Sequence, residues 1–189
     1  MQQEDLQLQN QLLIAMPGMG DPRFEHAVIL VARHTPEGCF GVTINQPSDT
    51  SLGDLFNHLK IPTVASSKLT SEPMLQGGPV QPEQGFVVHD SERSWENTLR
   101  ISDNLAITAS KDILKDIASE QGPDNFFLTL GCASWSAGQI ENEILENAWL
   151  SCPTESSILF DTPFPLRWQN SSKLLGFDVR LMSDSSGHA

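Results

Sequence analysis

Apolar and polar positions along this chain change period several times, and each change predicts an element. Residues 11–16 form a short apolar run that stops at Pro17-Gly18, which reads as a buried strand. Residues 27–33, rich in Val and Ile, read as a second strand, and residues 40–45 as a third. The segment from His34 to Gly38 between them has the length and composition of a hairpin turn. A first helix is expected from Ser51, where Ser51 and Asp54 have the spacing of a capping box. Leu52, Leu55, Phe56 and Leu59 then recur on one helical face, and Pro62 stops the helix. Residues 62–73 read as a polar loop.

Short strands are expected at 74–76, 85–89, 98–101 and 105–108, with turn residues Ser102-Asp103-Asn104 between the last two. Ser110 is the expected cap of a second helix with Ile113, Leu114, Ile117 and Ala118 on its apolar face. Residues 125–132 are the most strand-like of the chain and are expected at the centre of a sheet. A third helix is expected from Ser136 to about Asn147. A fourth is expected from a cap at Asp161 or Thr162 through Leu175, ended by Gly176. A last strand over 177–182 and a frayed tail over 183–189 complete the reading.

Strands outnumber helices, short turns join many of them, and no regular βαβ alternation or internal repeat is present. The expectation is therefore an α+β fold: a mixed, largely antiparallel sheet with about four helices, in one domain over residues 1–182.

Charge narrows the functions. The 189 residues carry 24 Asp and Glu against 11 Lys and Arg, a formal charge of −13, and no basic run. Such a surface repels a phosphate backbone and an anionic bilayer, so no direct nucleic-acid or membrane partner is expected. No apolar run is long enough to span a bilayer, and Glu4 and Asp5 stand where a signal peptide would be basic, so cytoplasm is the default. Cys39, Cys132 and Cys152 are an odd, widely spaced set without a C-x-x-C, which suits buried thiols in a reducing compartment.

The segment 131–143 holds the most candidate chemistry. A strand end, a small-residue loop and a helix start succeed one another, and Ser136 with Gln139 has capping-box spacing. Outward N–H groups there suit an anion; the plainer reading is a capped helix with Trp135 as a core anchor. Cys132 stands at the expected strand end, four residues before the expected helix start, where a thiol can be activated. An inert buried thiol is the plainer reading. Gly77-Gly78-Pro79 lacks the lysine and helix of a phosphate loop and reads as a close strand crossing. Glu141 and Glu143, two apart on a helix, cannot share an ion, and no histidine stands at helical spacing, so no metal is expected. His34 and His89 follow strands, but nothing ties either to a Ser and an Asp, and no nucleophile elbow or cofactor fingerprint exists.

Four motifs in order resemble the YqgE/AlgH family. They are Leu13-Ile-Ala-Met-Pro with Asp21-Pro22 and Phe24; Gly41-Val-Thr-Ile-Asn45 with Pro47; Gly77-Gly78-Pro79-Val80 with Gly85-Phe86; and Leu130-Gly131-Cys-Ala-Ser-Trp135-Ser-Ala-Gly138-Gln139-Ile-Glu141 with Glu143, Asn147 and Trp149. The resemblance runs from residue 12 to about 176. It implies an α+β fold around a mixed, barrel-like sheet and a bacterial cytoplasmic protein. Some members bear a transcriptional-regulator label, and no family activity carries over. Cys132 stands where the family usually has an aromatic residue, and Ser134 and Ser136 where it commonly has glycines.

The leading expectation is a non-enzymatic binding or regulatory protein with no cofactor and an unidentified protein or small-molecule partner. Its recognition surface would comprise Asp21, Asn45, Gly77, Gly78, Pro79, Trp135, Gly138, Gln139 and Glu143. The alternatives are an enzyme or redox switch using Cys132 and, last because of the charge, a DNA-binding regulator.

Overall fold

The computed structural model describes residues 6–90, 92–178 and 181. Along the chain, β1 (Gln11–Ala15), β2 (Val28–Thr35), β3 (Gly38–Thr43) and β4 (Pro47–Ser51) lead into α1 (Leu52–His58). After α2 (Ser67–Thr70) come β5 (Pro73–Gln76), β6 (Val80–His89), β7 (Thr98–Ser102), β8 (Leu105–Thr108) and α3 (Lys111–Ala118). The remainder is β9 (Phe126–Ser136), α4 (Gln139–Leu145), β10 (Trp149–Pro153) and α5 (Arg167–Leu174).

The strands form one sheet in the order β10-β1-β2-β3-β9-β6-β8-β7, with β4 and β5 as a side branch. β9 is its spine. It pairs antiparallel with β3 through Ala133–Ser136 and with β6, and parallel with β5 at Thr129 and Leu130. The other pairings are antiparallel, so the sheet is mixed as expected.

The sheet is curled into a half-barrel. Leu12, Leu30, Val42, Val88, Ile101, Ile107 and Phe127, from seven strands, meet in one buried cluster. The Gln9 amide reaches the Ile101 carbonyl at 3.1 Å, so the chain just before β1 touches β7, at the far end of the sheet. Residues of the C-terminal segment, including Ile158, Leu159, Trp168 and Leu175, close the concave side. On the outer face, Ile140 of α4 covers Leu13, Ile29, Val31 and Trp135, while α1 and α3 cover Met74, Val87 and Leu128. Burying each Leu or Ile side chain here stabilises the fold by about 1.5–3 kcal/mol.

The hairpin of β2 and β3 forms as expected, and Ser51 with Asp54 closes a full capping box on α1. Among the described residues, four helices reach seven residues or more. Other expectations are corrected. β10, α2 and β4 were not expected, although β10 contributes buried Trp149 and Cys152. α3 starts where expected, but the Ser110 hydroxyl donates to the Glu96 carbonyl and accepts nothing from the helix. α5 begins at Arg167, not at Asp161 or Thr162; a π-helical turn (Ser157–Asp161) and a 3-10 turn (Phe164–Leu166) take up the start. Thr162 uses its hydroxyl to donate back to Ser157. Phe177 and Asp178 are not strand, and the tail over 183–189 lies outside the described residues. No helix among the described residues is long and apolar enough to cross a membrane.

Candidate functional site

The site grows from an irregularity in β9. Leu128 packs under α1 and α3 on the outer face, yet Cys132, an even number of residues on, lies in the concave core and Ala133 lies outside. Gly131, at φ 74°, makes this shift, as an extra residue in a strand must. Directly above it the chain passes from β5 to β6 through Gly77 and Gly78. A Cβ on Gly77 would stand 2.2 Å from the Gly131 oxygen, and one on Gly78 2.2 Å from the Cys132 oxygen. Gly77 and Gly78 are therefore the crossing itself, with no room for a ligand, and Pro79 emerges from it toward solvent.

The shift also sets the end of the strand. β9 does not stop at Cys132 but runs on to Ser136, still paired with β3. α4 then starts at Gln139, with Gly138 as its left-handed N-cap at φ 75°. Ser136 is not the cap. Its backbone N–H and hydroxyl donate to Gln139 Oε1 at 3.1 and 3.2 Å, which is the side-chain half of a capping box only. Cys132 is thus mid-strand, seven residues from the helix, 3% exposed, with its thiol directed at the Val80 carbonyl. Burial pushes that thiol up, opposite to activation. Cys39 and Cys152 are buried too, and their thiols are pushed up to about 12 and about 11, with Glu141 and Glu155 adding to the burial effect.

One turn into α4, Glu143 organises the surface. Its Oε2 accepts the indole N–H groups of Trp135 at 3.0 Å and of Trp149 at 2.8 Å, and its Oε1 accepts the Gln139 amide at 3.0 Å. The two indoles meet edge to face at 6.1 Å, and Phe24 meets Trp149 in the same way at 5.6 Å. Above them opens a pocket of about 330 Å3, lined by Asp21, Pro79, Trp135, Gln139 and Glu143 together with Met19, Phe24, Ser134 and Trp149. Asp21 caps the 3-10 turn Pro22–Phe24 and holds the Arg23 guanidinium at 2.7 Å, which keeps the Asp21 carboxyl below its ordinary value.

Five of the nine surface residues named from sequence therefore converge on one pocket: Asp21, Pro79, Trp135, Gln139 and Glu143. Gly138 shapes the helix start, and Gly77 and Gly78 the crossing beneath Pro79. Asn45 is elsewhere: it accepts from the Val28 N–H at 2.9 Å and donates to the His26 carbonyl at 2.8 Å, clamping the entry to β2. Sequence reasoning missed Met19, Arg23, Phe24, Ser134 and Trp149 among the pocket residues; the signal for Phe24, Ser134 and Trp149 was their place in the motifs. Glu141 points away from Glu143 and bonds His34 Nε2 at 2.8 Å. An anion at the start of α4 would meet this Glu141 charge in the first turn. His89 is buried, bonded to Thr108 at 2.8 Å, and burial lowers its pKa. No three His, Cys, Asp or Glu among the described residues gather as metal ligands.

Comparison with known proteins gives a consistent result. A family described as AlgH-like matches residues 12–180. A UPF0301 protein of Xanthomonas campestris pv. campestris is 43% identical over 182 residues, 96% of each chain. One of a Marinomonas species is 44% identical over 179 residues, 95% of each. The solution structure of the AlgH protein from Pseudomonas aeruginosa superposes with a TM-score of 0.80 at 38% identity, covering 100% of both chains. A Corynebacterium diphtheriae protein, at 21% identity and a TM-score of 0.69 over 88% of this chain and 86% of its own, shares the fold.

Proposed function

The chain belongs to the AlgH-like family, and on that premise we propose that it is a non-enzymatic binding protein that recognises its partner in the Glu143 pocket. The observation that carries this reading is the carboxylate held by two indoles. Glu143 fixes Trp135 and Trp149 in one geometry before any ligand arrives, and a preorganised aromatic wall lowers the entropy that binding must overcome. Arg23, in the same lining, offsets Asp21, so Glu143 leaves one negative charge beside the aromatic wall. That combination favours a ligand group with an apolar body and an N–H-bearing or cationic end, offered by a small molecule or a protein side chain.

The buried, upward-shifted Cys132 weighs against the thiol reading. The charge of −13 weighs against a direct DNA reader. Three free, buried cysteines favour action in a reducing cytoplasm.

The test uses the indole N–H signals of Trp135 and Trp149 as reporters in the 15N-labelled full chain. Size-fractionated bacterial extract is titrated into wild type and into Ser134→Arg, which fills the pocket from an exposed strand position. An active fraction should move both indole signals in wild type and neither in the variant. Shifts that map elsewhere and survive Ser134→Arg would refute the reading.

A further inference from the structure

A second cavity lies away from the Glu143 pocket and shares no lining residue with it. It has about 820 Å3 and sits between the start of β5 and the turns that precede α5. An adjoining cavity of about 270 Å3 continues it. Four phenylalanines, Phe126, Phe127, Phe160 and Phe164, line both. At the inner wall stands Arg167, 3% exposed.

Arg167 is a buried charge with no counter-ion among the described residues. None of the ion pairs among the described residues includes it. Its guanidinium lies 5.1 Å from the Phe127 ring centre and 4.6 Å from that of Phe164. Nε donates to the Thr162 carbonyl at 3.0 Å, one terminal nitrogen to Ile44 at 2.6 Å, and the other to Leu159. Leu159 lies in the π-helical turn, Thr162 follows it and Ile44 follows β3, so the guanidinium ties these segments together. A guanidinium has five N–H groups, so one on each terminal nitrogen is left over. Carbonyl dipoles and phenyl faces soften the buried charge but do not neutralise it, and burial lowers its pKa to about 10.

We propose that this cavity binds a small carboxylic acid with an aromatic or acyl body, its carboxylate on the free N–H groups of Arg167 and its body among the four phenylalanines. The planar guanidinium fork matches a carboxylate, and the pairing is charge-assisted. The rim selects a single negative charge. Lys68 stands there with Glu72 and Asp161, and the two exposed carboxylates repel a polyphosphate or a nucleic acid while being screened from one buried carboxylate.

The experiment compares 3-phenylpropanoate with 3-phenylpropanamide, two probes of one shape that differ in charge. Binding to the full chain is followed by calorimetry and by the Arg167 Nε–H resonance. The acid should bind with a dissociation constant below about 1 mM and move that resonance, and the amide should bind at least about tenfold more weakly. Lys68→Glu, an exposed change that leaves the core intact, should weaken the acid severalfold and leave the amide unchanged. Arg167→Gln should abolish the preference between the probes; because it also removes three carbonyl partners, the Lys68 variant carries the test if that protein does not fold. Ser134→Arg should leave acid binding untouched, which separates this site from the Glu143 pocket. Equal affinity for the two probes, no binding of the acid at about 5 mM, or shifts confined to Trp135 and Trp149 would each overturn the proposal.

Discussion

Trp149 donates its indole N–H to the Glu143 carboxylate across 2.8 Å, although the two residues lie on different elements. The bond ties α4 to the edge strand β10, and Trp135 brings β9 to the same oxygen. Removing the acceptor strands two indole donors beneath the surface. Glu143→Ala should therefore destabilise the fold by about 2–4 kcal/mol, since each buried donor left unmade costs about 1–3 kcal/mol. Glu143→Gln keeps one acceptor oxygen and should cost less than half as much. Urea midpoints at constant slope measure both.

The position of the α4 cap gives an opposed pair of expectations. A Ser136 cap would make Ser136→Ala cost about 0.5–2 kcal/mol. With Gly138 as the cap at φ 75°, Ser136→Ala should cost less than about 0.5 kcal/mol. Gly138→Ala forces a Cβ into the left-handed region and should cost about 1–2 kcal/mol. The same unfolding measurement ranks the two, and the reverse order would return the cap to Ser136.

Iodoacetamide should label none of the three cysteines appreciably in the native protein at neutral pH. The thiolate is the reacting form, and burial raises all three thiols, Cys39 furthest, to about 12. All three should label in urea. Mass-spectrometric assignment of fast native labelling to Cys132 at pH 6 would contradict its place in the core.

His89 sets an acid limit. Burial lowers its folded-state pKa from 6.5, so it is held neutral in the fold while the unfolded chain takes up a proton. Its contribution is complete above the unfolded value of 6.5 and is lost as pH falls from there through the lowered folded-state value. His89→Asn should flatten the stability profile in that window. Asp21, Asp54 and Asp112, whose carboxyls are held low by hydrogen bonds, contribute losses only at more acid pH.

The parts of this fold that sequence revealed are those where side chains alone decide. Val28 to Val31 are apolar on both faces because both faces of β2 are covered, and the run is visible. β4, Pro47–Ser51, contains no large apolar residue and exists because β5 offers backbone partners, which no local pattern records. Cys132 and Ser136 were misplaced for one reason: Gly131 changes the alternation of β9, so a continuing strand resembles a strand ending in a small-residue loop. Motif order brought Asp21, Pro79, Trp135, Gln139 and Glu143 to one list, and the structure brings them to one pocket. Asn45 shared their polarity but spends its side chain on backbone groups, which composition does not distinguish. Arg167 escaped notice because a lone arginine in a helix ordinarily reaches solvent.

The central place of β9 bears on how the protein is made. A ribosome delivers β3, β5 and β6 before it delivers β9, which must lie between them, and β1 long before its partner β10. A nascent chain halted after α3 therefore holds two three-stranded units, β1-β2-β3 and β6-β8-β7, whose facing edges, β3 and β6, await β9. Open edges of this kind recruit other strands, including those of neighbouring nascent chains on a polysome. The half-barrel closes only once β9 and the segment after it are available, so the edges of β3 and β6 stay open until late in synthesis.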